Sequence, residues 1–286
     1  MSQISPLQRI AIIPARDKPQ AINLAPQIAA WLRQREVQPV TEAELRDGHG
    51  ADALVALGGD GLMMRMAHTF PSIPLVGINF GKVGFLAMVE RAGWQNLLEH
   101  LIAREFRVSE GPTLAAILRR DGAASDAGWA INDVVVRSGM QMVDVELYVD
   151  GKYVNTYPGD GMIVASPQGS TAYCMAAGGP ILAAGVRGFA VTPISAHSPI
   201  RSTLVVPEES TIELVIANDH ESALIVDGVP VAALQAGDLV SVRRGEHRFR
   251  LIVTQEMNFY EAFRSKFNYL IRPDAVPSLG HEREQS

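Results

Sequence analysis

The run Ala53-Leu54-Val55-Ala56-Leu57 ends in Gly58-Gly59-Asp60-Gly61 and passes at once into residues 62–68, which read as a helix. This junction constrains the fold more than any other feature. Five successive apolar residues read as a buried strand, and strands alternating with helices build a parallel sheet covered by helices. Glycine allows a sharp turn and lets a ligand approach the backbone. The start of the helix points unpaired N–H groups and the positive end of its dipole at that approach. A turn of this kind suits phosphate and sets one carboxylate, Asp60, beside it. The plainer reading is a strand-to-helix turn that Asp60 merely caps. Motifs further along decide between the two.

The first hundred residues keep the alternation. Strands are expected over 9–14, 38–40, 53–57 and 74–78, and helices over 21–35, after Gly61, and over 94–103. In the first helix Ile22, Leu24, Ile28, Trp31 and Leu32 offer an apolar face; in the last, Leu97, Leu98 and Leu101 do. From Phe106 the texture changes to short strands separated by turn residues, at 113–120, 129–137, 143–149, 152–157, 189–193, 204–206, 211–216, 224–226, 239–243 and 249–253. Asp150-Gly151 and Asp227-Gly228 each read as a hairpin turn. The expected architecture is an α/β domain with a parallel sheet over 1–105, followed by an all-β, sandwich-like dinucleotide-binding domain over 106–254. A last helical stretch, 260–267, is a candidate to return to the first domain, so 255–286 is grouped with it.

Composition removes several function classes. A length of 286 residues allows two domains with real cores, and 47% hydrophobic with 20% charged residues is a globular balance. A formal charge of −6 argues against a nucleic-acid partner, whose phosphates need a basic face, yet leaves room for small anionic ligands. The one cysteine, Cys174, excludes an intramolecular disulfide and a cysteine zinc site, and reads as a small buried hydrophobe. Residues 161–186 carry no charge, but Pro167, Pro180 and several glycines argue for a buried segment or a neutral pocket wall rather than a membrane span. The N-terminus lacks the pattern of a signal peptide, so a cytoplasmic location without a membrane partner is expected.

Three further motifs bear on chemistry. Gly77-Ile78-Asn79-Phe80-Gly81-Lys82-Val83-Gly84-Phe85-Leu86 again places glycines after a strand. It is not a P-loop, because three residues separate Gly77 from Gly81 and Val83 stands where Ser or Thr is needed. Asn132-Asp133 suits ribose hydroxyls, since both side chains accept hydrogen bonds and Asn also donates; alone it is equally an edge-strand turn. Gly159-Asp160-Gly161, Ser166-Pro167-Gln168-Gly169-Ser170-Thr171-Ala172-Tyr173 and Gly178-Gly179-Pro180 form a dense cluster that suits a buried binding loop with an aromatic wall, or a Gly-rich crossover.

In this order and at these separations the blocks resemble the NAD kinase family, from the first strand to Phe267. GGDG alone is shared with 6-phosphofructokinases and with diacylglycerol and sphingosine kinases; the GSTAY…GGP block carries the specific likeness. The resemblance implies transfer of the ATP γ-phosphoryl group to the adenosine-ribose 2′-hydroxyl of NAD. It also implies a divalent ion, Mg²⁺ or another, a homodimer or homotetramer, and a site between the two domains. By position, Asp60 is the implied catalytic acid, Gly59 and Gly61 admit the phosphates, and Arg65 lies near the donor. Phe85 falls in the second of these blocks; Asn132 and Asp133 hold the NAD ribose, and Asp160 contacts the nicotinamide half or its ribose. Ser170, Thr171, Ala172 and Tyr173 line the dinucleotide pocket, and Cys174, Met175 and Ala176 continue it. No residue is implied as a direct metal ligand. The chain departs from the family pattern at Leu62, Pro158, Gln168 and Val229, where Thr, Arg, Thr and Gln are usual. Two alternatives are a lipid kinase of the same superfamily, which needs a basic or apolar membrane-facing surface, and a non-catalytic NAD(P)-binding regulator.

Overall fold

The computed structural model describes residues 7–255 apart from 82, 83 and 184, together with Met257, Tyr260 and Phe263. It divides into two compact units, one of residues 1–63, 76–106 and 253–286 and one of residues 64–75 and 107–252.

The first unit alternates as β1 (Arg9–Pro14), α1 (Pro19–Arg33), β2 (Gln38–Val40), α2 (Glu42–Arg46), β3 (Ala53–Leu57), α3 (Asp60–Thr69), β4 (Leu75–Asn79), β5 (Val89–Glu90) and α4 (Trp94–Ala103), with the ends of α3 and β4 passing into the second. The strand order is β4-β3-β1-β2, and β1 runs parallel to both β2 and β3. Every residue of β3 and β4 is buried, as two-sided coverage requires. Helix α1 starts at Pro19, whose missing N–H has no partner to lose in a first turn. It buries Ala21, Leu24, Ile28 and Leu32. Ile22, expected on that face, is 45% exposed, because a 3.6-residue period sets it nearly opposite Leu24. Trp31 instead packs edge-on against Trp94, 5.8 Å between ring centroids, with the Arg35 guanidinium 3.6 Å from its ring centre. Helix α2, absent from the sequence reading, is started by a capping box: the Thr41 hydroxyl accepts the Glu44 N–H, and the Glu44 carboxylate accepts the Thr41 N–H at 2.7 Å.

The second unit is a sandwich of β6 (Phe106–Arg120), β7 (Ala123–Ala130), β8 (Asp133–Ser138), β9 (Val143–Val149), β10 (Lys152–Gly159), β11 (Gly161–Ala165), the short helix α5 (Tyr173–Ala176), β12 (Gly188–Ile194), β13 (Leu204–Pro207), β14 (Ile212–Ile216), β15 (Ser222–Val226), β16 (Val229–Leu234) and β17 (Leu239–Thr254). One sheet has the order β13-β12-β11-β8-β15-β16; the other runs β10-β9-β14-β17, with β6 paired to β17 and β7 to β6. Alternate residues of both sheets interdigitate as the core, Val134, Val136, Met162, Val164 and Phe189 from one and Leu114, Val145, Leu147, Leu214 and Val240 from the other. The turn between β6 and β7 is tied down by Arg120, which grips the buried Asp238 carboxylate at 2.8 and 2.6 Å. That guanidinium holds the Asp238 carboxyl below the usual carboxylate range.

The α/β unit with a parallel sheet and the β-sandwich stand as the sequence predicts; several element bounds do not. The strand expected over 129–137 is two strands in two sheets, β7 and β8, broken at Ile131-Asn132. Residues 239–253, expected as two strands, are the one long strand β17. Strand β11 went unread because all five of its residues are buried, so no alternation marks it. Of the terminal helix expected over 260–267, only Tyr260 and Phe263 lie among the described residues. Among the described residues no helix is long and apolar enough to cross a membrane.

Candidate active site

Asp60 is the first residue of α3, directly after the buried strand β3 and the glycine turn. Its carboxylate is clamped by three consecutive amides of the segment that follows β4. Phe85 N–H donates to Oδ2 at 3.0 Å; Leu86 and Ala87 N–H donate to Oδ1 at 3.2 and 2.9 Å. The fit is close enough that a Cβ on Gly84 would collide with the carboxylate, which accounts for the glycine of the Gly84-Phe85-Leu86 block. Gly59 and Gly61 are different: a Cβ at either would meet nothing within 4 Å. Phe85 is buried, and Arg65 is exposed on α3.

In the second unit the crossover between β7 and β8 carries Asn132 and Asp133, and its backbone is satisfied on both sides. The Asp227 carboxylate accepts the N–H groups of Ile131, Asn132 and Asp133 at 2.7, 2.7 and 3.1 Å. The carbonyl of Ile131 accepts the Ser166 hydroxyl, that of Asn132 accepts Ser166 N–H at 2.9 Å, and that of Asp133 accepts Asp227 N–H at 3.0 Å. Gly169 lies so close to Asn132 that a Cβ there would overlap its backbone. Asp133 is 5% exposed, and burial, reinforced by the nearby Asp227 charge, pushes its carboxyl up to about 7.

The loop after β11 continues from Ser166. The Ser170 side chain is fully buried and serves the loop itself, donating to the Pro167 carbonyl at 2.6 Å and accepting Leu182 N–H at 2.9 Å. Thr171 donates to the Gln168 carbonyl at 3.1 Å. Thr171, Ala172, Tyr173 and Met175 are half-buried, Ala176 is exposed, and Cys174 is fully buried, which raises its thiol pKa and keeps it inert. Tyr173 packs against the buried cluster that includes Val135, Ile163 and Ala190, with the Arg137 guanidinium 5.6 Å from its ring centre. Gln168, where the family pattern has Thr, occupies the space a Cβ on Gly111 would fill.

Asn132, Asp133 and the 166–176 loop are therefore one assembly, and Asp60, Gly59, Gly61 and Phe85 are another. Asp160 is not brought to Asp133. Ala165 pairs with Asp133 and Gly161 with Arg137, so Asp160 lies at the far end of β11, about 16 Å away along five residues of strand. Its neighbour Gly161 has φ 137° with a Cβ position against the Val136 carbonyl, a conformation that requires glycine. At this end a cavity of about 640 Å³ is lined by Ala177, Ser195, His197 and Arg201, among others. No motif marks those residues. Asp227 was visible only as a hairpin residue, which it is, with φ 46° before Gly228 at 79°; its carboxylate role depends on a contact 94 to 96 residues away in sequence. Among the described residues no group of three His, Cys, Asp or Glu side chains is placed to hold a metal ion.

A glycine turn that fixes an acid at a helix start in one unit, and an Asn-Asp pair joined to a neutral aromatic loop in the other, are the marks of a phosphoryl-transferring enzyme of the GGDG class. The comparisons carry this to a family. The ATP-NAD kinase N-terminal domain matches residues 38–106, and the ATP-NAD kinase C-terminal domain matches residues 131–254. An NAD kinase of Thermomicrobium roseum is 58% identical over 278 residues, covering 95% of each chain. One of Heliobacterium modesticaldum is 39% identical over 275 residues, covering 90% of this chain and 97% of the other. Among solved structures, an NAD kinase from Archaeoglobus fulgidus in complex with ATP has a TM-score of 0.74 at 25% identity, covering 90% of this chain and 99% of that one. Yeast NADH kinase complexed with NADH shares the fold, with a TM-score of 0.81 at 21% identity and coverage of 96% and 90%. The chain belongs to the NAD kinase family, which makes it a kinase that phosphorylates NAD.

Proposed function

We propose that Asp60 aligns the adenosine-ribose 2′-hydroxyl of NAD and takes its proton as the γ-phosphoryl group of ATP moves onto that oxygen. The O–H bond of the hydroxyl breaks, a new O–P bond forms, the γ-phosphorus leaves the β,γ-bridging oxygen, and ADP departs with NADP as product. The observation that carries this is the amide clamp. A carboxylate has about four acceptor positions, and three amides fill three of them. Asp60 is thus immobilised, with Oδ2 left able to take one more donor. Late proton transfer to a positioned carboxylate is what a loose phosphoryl-transfer transition state requires.

The open space at Gly59 and Gly61 supports phosphate approach to the turn, and Arg65 adds positive charge. A divalent ion, Mg²⁺ or another, would be held mainly through the triphosphate, which suits a chain whose described residues form no carboxylate cage; bound there, it supplies charge neutralisation. Asn132 and Asp133 hold the NAD ribose. A buried carboxyl with a pKa near 7 can donate to a hydroxyl as well as accept from one. Ser170 shapes the loop, Thr171, Ala172 and Tyr173 line the dinucleotide pocket, Cys174 to Ala176 continue it, and Phe85 helps fix the acid. Asp160, a strand length from Asp133 and beside the His197 and Arg201 cavity, serves the nicotinamide half. The same reading makes the enzyme cytoplasmic and a homodimer or homotetramer, without nucleic-acid or membrane partners; light scattering checks the assembly.

A coupled assay following NADP from NAD, ATP and Mg²⁺ tests the proposal. Turnover by the wild type and its collapse in Asp60→Asn support it. Binding of NAD without turnover would point to the non-catalytic regulator instead.

A further inference from the structure

His68 Nε2 lies 2.6 Å from Asp227 Oδ2, and neither residue is among those assigned above to substrate. Both side chains are withdrawn from solvent, 31% exposed for His68 and 10% for Asp227. A carboxylate only accepts, so the imidazole donates this hydrogen bond. It is the fourth donor on Asp227, beside the amides of Ile131, Asn132 and Asp133. The imidazole ring is also held by its face. It stacks on Trp129 with 4.0 Å between centroids and 34° between planes, and Trp129 packs against His247 at 4.5 Å. Trp129 stands in β7 just before the crossover, so one indole braces both the imidazole and the strand leading into Ile131-Asn132.

We propose that His68 is a positioning residue for NAD. By donating to Asp227 it fixes the carboxylate that fixes the backbone of Asn132 and Asp133, and so the direction of their side chains at the ribose. This rests on the reading that Asn132 and Asp133 hold NAD. The physical argument is one of saturation. Asp227 sits at a hairpin turn and must keep its two oxygens on three successive amides. His68 occupies the remaining acceptor position and stops the carboxylate from turning away toward another donor. A charge-assisted hydrogen bond in a half-buried site is strong enough to matter to a ligand held by that segment. A side chain that only glued two elements together would affect folding and both substrates alike; a positioning residue acts on NAD selectively.

The test is steady-state kinetics on the full chain, with NAD and ATP varied separately, for His68→Leu, His68→Asn and His68→Gln, alongside thermal midpoints. Gln can place a donor near the Nε2 position; Asn is too short, and Leu has none. His68→Leu and His68→Asn are expected to raise KM for NAD about tenfold, the size of one charge-assisted hydrogen bond. KM for ATP should stay within about twofold, on the view that the lost contact bears on NAD alone. His68→Gln should recover most of the NAD affinity at a midpoint equal to that of His68→Asn. Unchanged KM for NAD in the Leu and Asn variants overturns the inference, as does a parallel rise for both substrates or the absence of rescue by Gln. Should Leu prevent folding, the Asn and Gln pair makes the same discrimination. A wild type that forms no NADP overturns the underlying reading, whereas an active wild type with His68-independent NAD affinity overturns this inference alone.

Discussion

Asp60 and Asp227 are built alike and do opposite things. Each carboxylate gathers three successive backbone N–H groups, from Phe85 to Ala87 in one unit and from Ile131 to Asp133 in the other. Asp227 then takes a fourth donor from His68 and has no acceptor position left. Among the described residues Asp60 keeps one free, and the glycines beside it carry open space rather than side chains. On the proposed function the same device makes a strut in one place and an immobilised reactive group in the other. The difference is a single unfilled acceptor position together with access.

If that comparison is right, the largest loss follows from removing the unfilled carboxylate. Asp60→Asn should lower turnover by about 10²-fold or more, the range for losing a general base, while calorimetry still detects NAD binding. Gly84→Ala should come next. Its methyl would occupy the position of the Asp60 carboxylate, and displacing the acid by even a fraction of an ångström should cost turnover about tenfold or more with KM for NAD little changed. Asn132→Ala and Asp133→Ala sharpen the other side of the comparison. Each should weaken NAD binding about tenfold, the scale of one or two lost hydrogen bonds, and leave ATP binding nearly intact by calorimetry.

The smallest effect concerns stability without ligand. Burial raises the Asp133 carboxyl from 3.8 to about 7 in the folded chain. Between those values the folded state keeps a proton that the unfolded chain has released, so stability falls as pH rises across the window. Asp133→Asn removes that penalty. At pH 8 its thermal midpoint should exceed that of the wild type by at least about 2 °C, the shift that even about 1 kcal/mol produces in a chain this size. The gap should close as pH falls toward 4, and scanning calorimetry across pH reads it directly.

These predictions mix residues that the sequence announces with residues it conceals. The place of Asp60 is legible because strand, glycine turn and helix are local signals. Strands β1 to β4 and helices α1, α3 and α4 are legible for the same reason, α4 at its observed bounds. Asn132-Asp133 is legible as a pair suited to ribose, but not as a crossover between two sheets, because nothing local tells a strand break from a continuing β-prone run. Thr41 and Glu44 did spell out a capping box, and α2 was there to be found. Asp227 and His68 could not be found that way. Their meaning lies in hydrogen bonds that span 94 to 159 residues, and an Asp-Gly pair between two short strands has a sufficient local explanation as a hairpin. Asp160 shows the converse: its motif is legible, while its distance from Asp133 is set by the length of β11, a strand hidden by complete burial.

The account stands on the claim that Asp60 acts and Asp227 holds. The most direct measurement is turnover at saturating NAD and ATP, set against the unfolding midpoint, for Asp60→Asn and Asp227→Asn side by side. The predicted profiles agree in stability and part in turnover. Asp60→Asn, which likewise leaves its three amides short of acceptors, loses about 10²-fold in turnover and about 1–3 kcal/mol of stability. Asp227→Asn, left with too few acceptors for three amides, loses about 1–3 kcal/mol of stability and stays within about tenfold of wild-type turnover. Wild-type turnover in Asp60→Asn, or an equal collapse of turnover in Asp227→Asn, would contradict it.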